Sequence, residues 1–153
     1  MPRFRFPLQP LLNAREHEER LKQRVVAEIE AERQSVEEKL RDQQQFITSG
    51  KHGLRGQLQG ELDLSTLRQH AGNTMRGMRD AQRLAIELAG IYQRLQEARA
   101  ELTDAARARR AVELLRERRF AEWKQRLDTA ENEALDEFAM QDAARRAREQ
   151  STS

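Results

Sequence analysis

The sequence predicts an all-α protein: a long antiparallel two-helix coiled-coil hairpin in which the second helix is the longer. Three observations lead there. All three prolines (Pro2, Pro7, Pro10) stand in the first ten residues, and all seven glycines lie between positions 50 and 90. The stretches of roughly 11–49 and 91–149 contain neither type. Since Pro costs about 3 and Gly about 1 kcal/mol in a helix interior, each stretch can be one uninterrupted helix. Apolar residues in the second stretch recur at alternating steps of four and three, a helical period and not a strand's. Composition agrees. Of 153 residues, 35% are charged, 37% apolar and 5% aromatic, too little apolar mass for a thick globular core. The mean hydropathy is −0.94, and no apolar run reaches the length of a membrane span. The chain has room for a single elongated domain, 1–153. Gly and Pro are too scarce for an ordinary disordered linker.

The first helix is expected over about 8–48, with Pro7 or Pro10 in its first turn, where a missing N–H is harmless. Val25, Val36 and Ile47 stand eleven apart, as do Ile29 and Leu40. An eleven-residue repeat predicts a nearly straight or slightly right-handed course. A Gly-rich turn follows at about 49–63, carrying Gly50, Gly53, Gly56 and Gly60. The second helix is expected over about 64–148, N-capped by Asp63 or Ser65 and weakened near its start by Gly72 and Gly77. Its seam reads Leu84, Leu88, Ile91, Leu95, Ala98, Leu102, Ala105 and Val112, with Arg109 filling the one gap. That is the pattern of a left-handed coiled coil. A four-residue stutter at Arg116 interrupts it before Phe120, Trp123, Leu127, Ala130 and Ala134, and stutters locally unwind a supercoil.

The two helices differ in length, about 60 Å against about 125 Å at 1.5 Å per residue. A closed hairpin would leave roughly the last forty residues beyond the start of the first helix. Phe120, Trp123, Leu127, Leu135 and Phe138 would then lack an intramolecular partner. Such a stripe marks an interaction surface, or is covered by a second copy of the chain.

Chemistry is sparse. Without cysteine there are no disulfides and no thiolate metal sites, which fits a reducing compartment. Residues 1–10 lack the apolar core of a secretion signal, so a cytoplasmic protein is expected. His17, His52 and His70 are scattered, and no phosphate-binding Gly-Lys-Ser/Thr loop occurs. A two-helix rod offers no concave site that excludes water. The expectation is no enzyme: no catalytic residues, no cofactor and no metal. Charge is balanced, 28 basic against 26 acidic residues, so the formal net of +2 gives little field despite a pI of 9.4. Residues 99–126 hold nine basic and five acidic side chains, the latter at helical pairing distances. With one Trp and one Tyr there is no stacking platform for bases, and nucleic acid is not an expected partner. Salt-dependent DNA binding is the test of that exclusion. From Asp128 to Asp142 there are six carboxylates and no basic residue. Arg145, Arg146 and Arg148 then complement the helix dipole.

The opening Phe4-Arg-Phe-Pro-Leu-Gln-Pro-Leu-Leu-Asn-Ala-Arg15 and the later Arg118-Arg-Phe-Ala-Glu-Trp-Lys-Gln-Arg126 resemble the flagellar export protein FliJ family. So does the segment Leu135-Asp-Glu-Phe-Ala139. The resemblance implies a non-enzymatic component of the flagellar type III export machine, peripheral to the inner membrane at the flagellar base. It implies a hairpin similar to the central stalk of rotary ATP synthases. The partners it implies are the hexameric export ATPase, the cytoplasmic domain of the export gate, and export chaperones. Transferred to this chain, the ATPase-facing residues would be Phe120, Trp123, Arg126, Leu135, Glu137 and Phe138. The gate-facing set would be Lys39, Gln43 and Phe46 on the first helix, with Met75, Met78 and Ala81 on the second. Two other readings share the hairpin: the equivalent stalk of a virulence-type secretion system, and a self-associating structural coiled coil. The Ala-rich seam argues against the latter, since strong homodimers place Leu, Ile and Val there.

Overall fold

The computed structural model describes residues 2–58 and 63–152. Among these there are two helices, α1 (Gln9–Gln57) and α2 (Leu64–Ser151), and no strand. The hairpin with the longer second helix is as the sequence predicts.

Both helix starts follow from local chemistry. Ahead of α1 the Gln9 N–H donates to the Phe6 carbonyl at 3.1 Å, and that of Leu12 to the Leu8 carbonyl at 3.0 Å. Pro10 falls in this first turn, where the backbone donors have no helical partner anyway. At α2 the cap is Asp63, one of the two expected residues. Its carboxylate accepts from the Ser65 N–H at 3.0 Å and from the Thr66 hydroxyl at 2.9 Å.

The end of α1 corrects the expectation. The helix does not stop near residue 48 but continues through Gly50, Gly53 and Gly56 to Gln57, and no glycine among the described residues has a positive φ. A glycine lowers helix propensity without forbidding the helix. Here the seam carries on past it, with half-buried Ile47, Gly50 and Leu54 still on the inner face. Gly60 of the expected turn lies outside the described residues.

The chain divides into two compact units. One comprises residues 1–16 and 106–153, the other residues 17–105. The second holds the hairpin packing. Its partners rise in number on α1 as they fall on α2: Lys22 with Glu101, Glu32 with Arg94, Glu37 with Tyr92, and Gly50 beside Thr74. The buried side chains of this unit are few: Val36, Ile91, Leu95, Ala98 and Ala105. On α2 every position of the sequence-derived seam from Leu84 to Val112, Arg109 included, is buried or half-buried.

On α1 the eleven-residue reading fails. Val25 is 41% exposed, whereas Lys22, Val26, Ile29, Arg33, Val36, Leu40, Gln43 and Ile47 form the inner face at steps of three and four. Eleven is also one heptad plus a four-residue step, so the Ile29–Leu40 and Val36–Ile47 spacings fit both patterns. Polar residues occupy the positions that complete the heptads. Their aliphatic stems cover the seam while their charged heads reach across it.

Those heads form a network. Arg33 bridges Glu30 (2.8 Å) and Glu37 (3.1 Å), Arg99 pairs with Glu30, and the Tyr92 hydroxyl donates to Glu37 at 2.6 Å. The hydrogen bond from Arg33 holds the Glu30 carboxyl below its ordinary range, and that from Tyr92 does the same for Glu37. Both carboxylates bind protons more weakly folded than unfolded. Their stabilisation is therefore present above the ordinary carboxylate pKa and is lost as pH falls through the depressed folded values. Melting followed by circular dichroism is expected to show a flat midpoint near neutrality that drops below about pH 4.5, the ordinary carboxylate value. Paired Glu30→Gln and Glu37→Gln substitutions should flatten that drop; an unchanged acid limb would remove the network from the account.

The glycines give a second test. Nothing lies within 4 Å of a Cβ added at Gly90, in the exposed middle of α2. Gly90→Ala is expected to stabilise by about 0.5–1 kcal/mol, read as a higher melting midpoint. Gly77 differs, because a Cβ there would stand 3.1 Å from Ile47 Cγ1 and 3.3 Å from Phe46 Cδ1. Gly77→Ala should give a smaller gain than Gly90→Ala, since the neighbours must yield.

Candidate functional site

Within the unit of residues 1–16 and 106–153, the segment preceding α1 is not helical and lies against α2. Phe4 makes an edge-to-face contact with Phe120, ring centroids 5.3 Å apart at 82°, and a tilted one with Trp123 at 5.8 Å. Phe120 and Trp123 are themselves 5.7 Å apart. The Arg116 guanidinium lies over the Phe4 ring at 5.8 Å, and its Nε donates to Gln9 Oε1 at 3.0 Å. Aromatic pairs of this geometry contribute about 0.5–1.5 kcal/mol beyond area burial. The cluster corrects the expectation that Phe120 and Trp123 lack an intramolecular partner: Phe4 is that partner. The stutter at Arg116 is where the side chain leaves the seam and covers Phe4 instead.

Beside the cluster runs a groove of about 320 Å³, walled by Phe6, Pro7 and Leu8 on one side and Leu115 and Trp123 on the other. Arg5, Arg119 and Arg126 line it, and no carboxylate does. An apolar floor under three guanidinium groups suits a peptide or helix face bearing carboxylates next to apolar side chains. Among the described residues no group of acidic or histidine side chains could hold a metal ion.

Further along α2 the polarity reverses. Leu135, Phe138 and Met140 are 66–73% exposed, set among the carboxylates of residues 128–142. Of the six expected ATPase-facing residues, Phe120, Trp123 and Arg126 gather at the aromatic cluster and its groove. Leu135, Glu137 and Phe138 form the exposed stretch beyond them. Phe4, Arg5, Arg116 and Arg119 complete the site and escaped the sequence reading. The signal available for Phe4 and Arg5 was the Phe-Arg-Phe triplet at residues 4–6, aromatic side chains in a proline-rich segment; nothing in the sequence singled out Arg116 or Arg119 as its partners.

The six expected gate-facing residues lie in the other unit, residues 17–105. Phe46, Met75 and Met78 are all about half exposed, and the Phe46 ring lies against Gly77. Lys39 is exposed, Gln43 and Ala81 half-buried on the inner face. Gln43 Oε1 is buried without a hydrogen-bond partner. No helix is long and apolar enough to cross a membrane among the described residues.

The model of the family described as flagellar FliJ protein matches residues 4–148. No curated protein and no solved structure matches the chain.

Proposed function

The chain belongs to the flagellar FliJ family, whose members are components of the flagellar export apparatus, and from that premise we propose that it serves as a non-enzymatic stalk and adaptor of the export ATPase. The observation that supports this reading is the composition of one region of α2. An aromatic cluster with an arginine-lined groove is followed directly by an exposed acidic stretch carrying Leu135 and Phe138. A helix that enters a ring of subunits needs apolar and charged groups on several faces at once, and residues 116–142 supply both. In this role Phe120, Trp123, Arg126, Leu135, Glu137 and Phe138 face the hexameric ATPase and promote its assembly and turnover.

The exposed Phe46, Met75 and Met78 serve as the contact for the cytoplasmic domain of the export gate, with Lys39, Gln43 and Ala81 around them. Methionine beside an aromatic ring gives a soft surface that adapts to its partner. Export chaperones are a third class of partner. The protein works at the cytoplasmic base of the flagellum, peripheral to the inner membrane.

A photo-crosslinker placed at Phe138 should capture the ATPase, and one at Met78 the gate. Capture of the gate from Phe138 and of the ATPase from Met78 would reverse the assignment; capture of neither would end it. For the gate patch specifically, Phe46→Ala with Met78→Ala should weaken gate binding, and unchanged binding would remove those residues.

A further inference from the structure

The segment ahead of α1 is shaped by its prolines. The ring of Pro7 fixes its own φ and biases Phe6 before it to an extended backbone. Side chains alternate along the segment: Arg3 and Arg5 are exposed, Phe4 and Phe6 half-buried. Phe4 meets Phe120 and Trp123, and the hydrogen bond from Arg116 to Gln9 ties the turn that follows to α2. The segment thereby becomes one wall of the groove, with Leu115, Arg119, Trp123 and Arg126 as the other. Those four follow at steps of four, four and three, which is a single face of a helix. Among the described residues Arg5, Arg119 and Arg126 have no carboxylate partner. Other arginines of α2 do: Arg110 pairs with Glu113 and Glu117, and Arg145 and Arg146 with Asp142. Glu122, one turn from Arg119 and Arg126, bridges neither and lies on the adjoining face with Gln125, Thr129 and Glu133.

We propose that this groove docks a short acidic segment of a partner protein, one in which carboxylates flank a bulky apolar side chain. The apolar side chain enters between Leu8 and Leu115 against Trp123, and the carboxylates meet Arg5 on one wall and Arg119 and Arg126 on the other. Guanidinium forks take carboxylates two hydrogen bonds at a time, and clusters of them are a recurring means of reading acidic motifs. At about 320 Å³ the groove stands at the small end of ligand sites, which run from about 300 to 1,000 Å³. It therefore takes a short stretch of chain and not a whole helix. A free phosphate would leave Phe6, Leu8 and Leu115 uncovered. A bilayer engages side chains that protrude, whereas these face each other across a cleft. Because proline fixes one wall before the partner arrives, little ordering entropy is lost on binding.

The proposal deepens the ATPase reading and rests on it only for the identity of the partner: where that reading holds, the acidic segment is the ATPase's. Residues 4–8 then belong to the contact surface, which α2 alone does not complete.

Random dodecapeptides displayed on phage and selected on the full chain test it. Selected peptides should combine Asp or Glu with Leu, Ile or Phe. One that lacks tryptophan, once synthesised, should change the emission of Trp123, the only tryptophan in the chain. Arg5→Glu with Arg119→Glu should weaken that peptide about tenfold or more, since each change removes a charge-assisted contact and adds a repulsive one. Arg118→Glu, at an exposed cation outside the groove, should leave its affinity within about twofold. Helicity measured on each variant separates a lost contact from a lost fold. Selection without acidic enrichment would overturn the proposal, as would a peptide that the double variant binds as well as wild type does. So would wild type that yields no peptide but binds phosphatidylglycerol vesicles, or sediments as a dimer, in a way the double variant loses; the occupant would then be a lipid surface or a second copy. Binding of the ATPase is read separately. Peptide binding without ATPase binding keeps the groove and ends the ATPase reading, and ATPase binding that survives the double variant takes the ATPase off the groove.

Discussion

Alanine at Trp123 and Phe138 together is expected to abolish stimulation of the cognate export ATPase by this protein. Aromatic side chains at the centre of an interface commonly contribute about 2–4 kcal/mol each when truncated. That corresponds to roughly 30- to 1,000-fold in affinity per residue. The two residues play different parts before any partner binds. Trp123 is half-buried against Phe4 and Phe120, so its loss also loosens the aromatic cluster. Phe138 is 70% exposed, so its removal should leave the fold and melting midpoint as they are. Phe138→Ala alone is therefore the cleaner reading: weaker stimulation with unchanged helicity locates the effect at the contact. Full stimulation by the double variant would refute the assignment of this surface.

The second large effect concerns the hairpin itself. Ile91 is 1% exposed, the most enclosed side chain in the unit of residues 17–105. Of the buried residues there, only Val36, Ile91 and Leu95 are larger than alanine. Truncating a buried Ile to Ala costs about 2–5 kcal/mol, against a typical total of about 5–15 kcal/mol for a domain. Ile91→Ala should thus lower the melting midpoint by roughly 10–30 °C for a unit of this size. Ile86, on the same helix but 70% exposed, is the control. Ile86→Ala should move the midpoint little, since surface changes stay within about 0.5 kcal/mol. Equal effects at the two positions would mean that the seam is misplaced.

The seam of α2 was legible from the sequence because its apolar residues, Leu84 through Val112, mark nearly every inward position themselves. That of α1 was not. Lys22, Arg33 and Gln43 hold inward positions there, and a count of apolar residues skips them and takes up the outward Val25 instead. What makes Arg33 suitable is Glu30 and Glu37 one turn away on its own helix, tied across the hairpin by the Tyr92 hydroxyl on Glu37 and by Arg99 on Glu30, contacts that only the paired structure brings together. Glycine counting misplaced the end of α1 for a related reason. A propensity cost of about 1 kcal/mol per residue is a local quantity, and packing of Ile47 and Leu54 on the inner face outweighs it.

At the candidate site, Trp123 and Phe120 could be named from the helical pattern, and Arg126 only through the family resemblance. Phe4 could not, because a short extended segment has no periodicity to reveal the face it meets. Its contact, more than any other, changes the description of the site, turning an apolar stripe without a partner into a clustered surface with a groove. Arg119 and Arg5 became meaningful only as walls of that groove.

The central claim is that α2 beyond residue 116 is the part that engages the export ATPase. Its most direct test is ATP turnover by the cognate ATPase, measured alone, with the full chain, and with a chain lacking residues 120–153. The account predicts stimulated turnover with the full chain and none with the truncated one, whose hairpin in residues 17–105 remains folded by circular dichroism. Equal stimulation by both chains, or none by either, would contradict it.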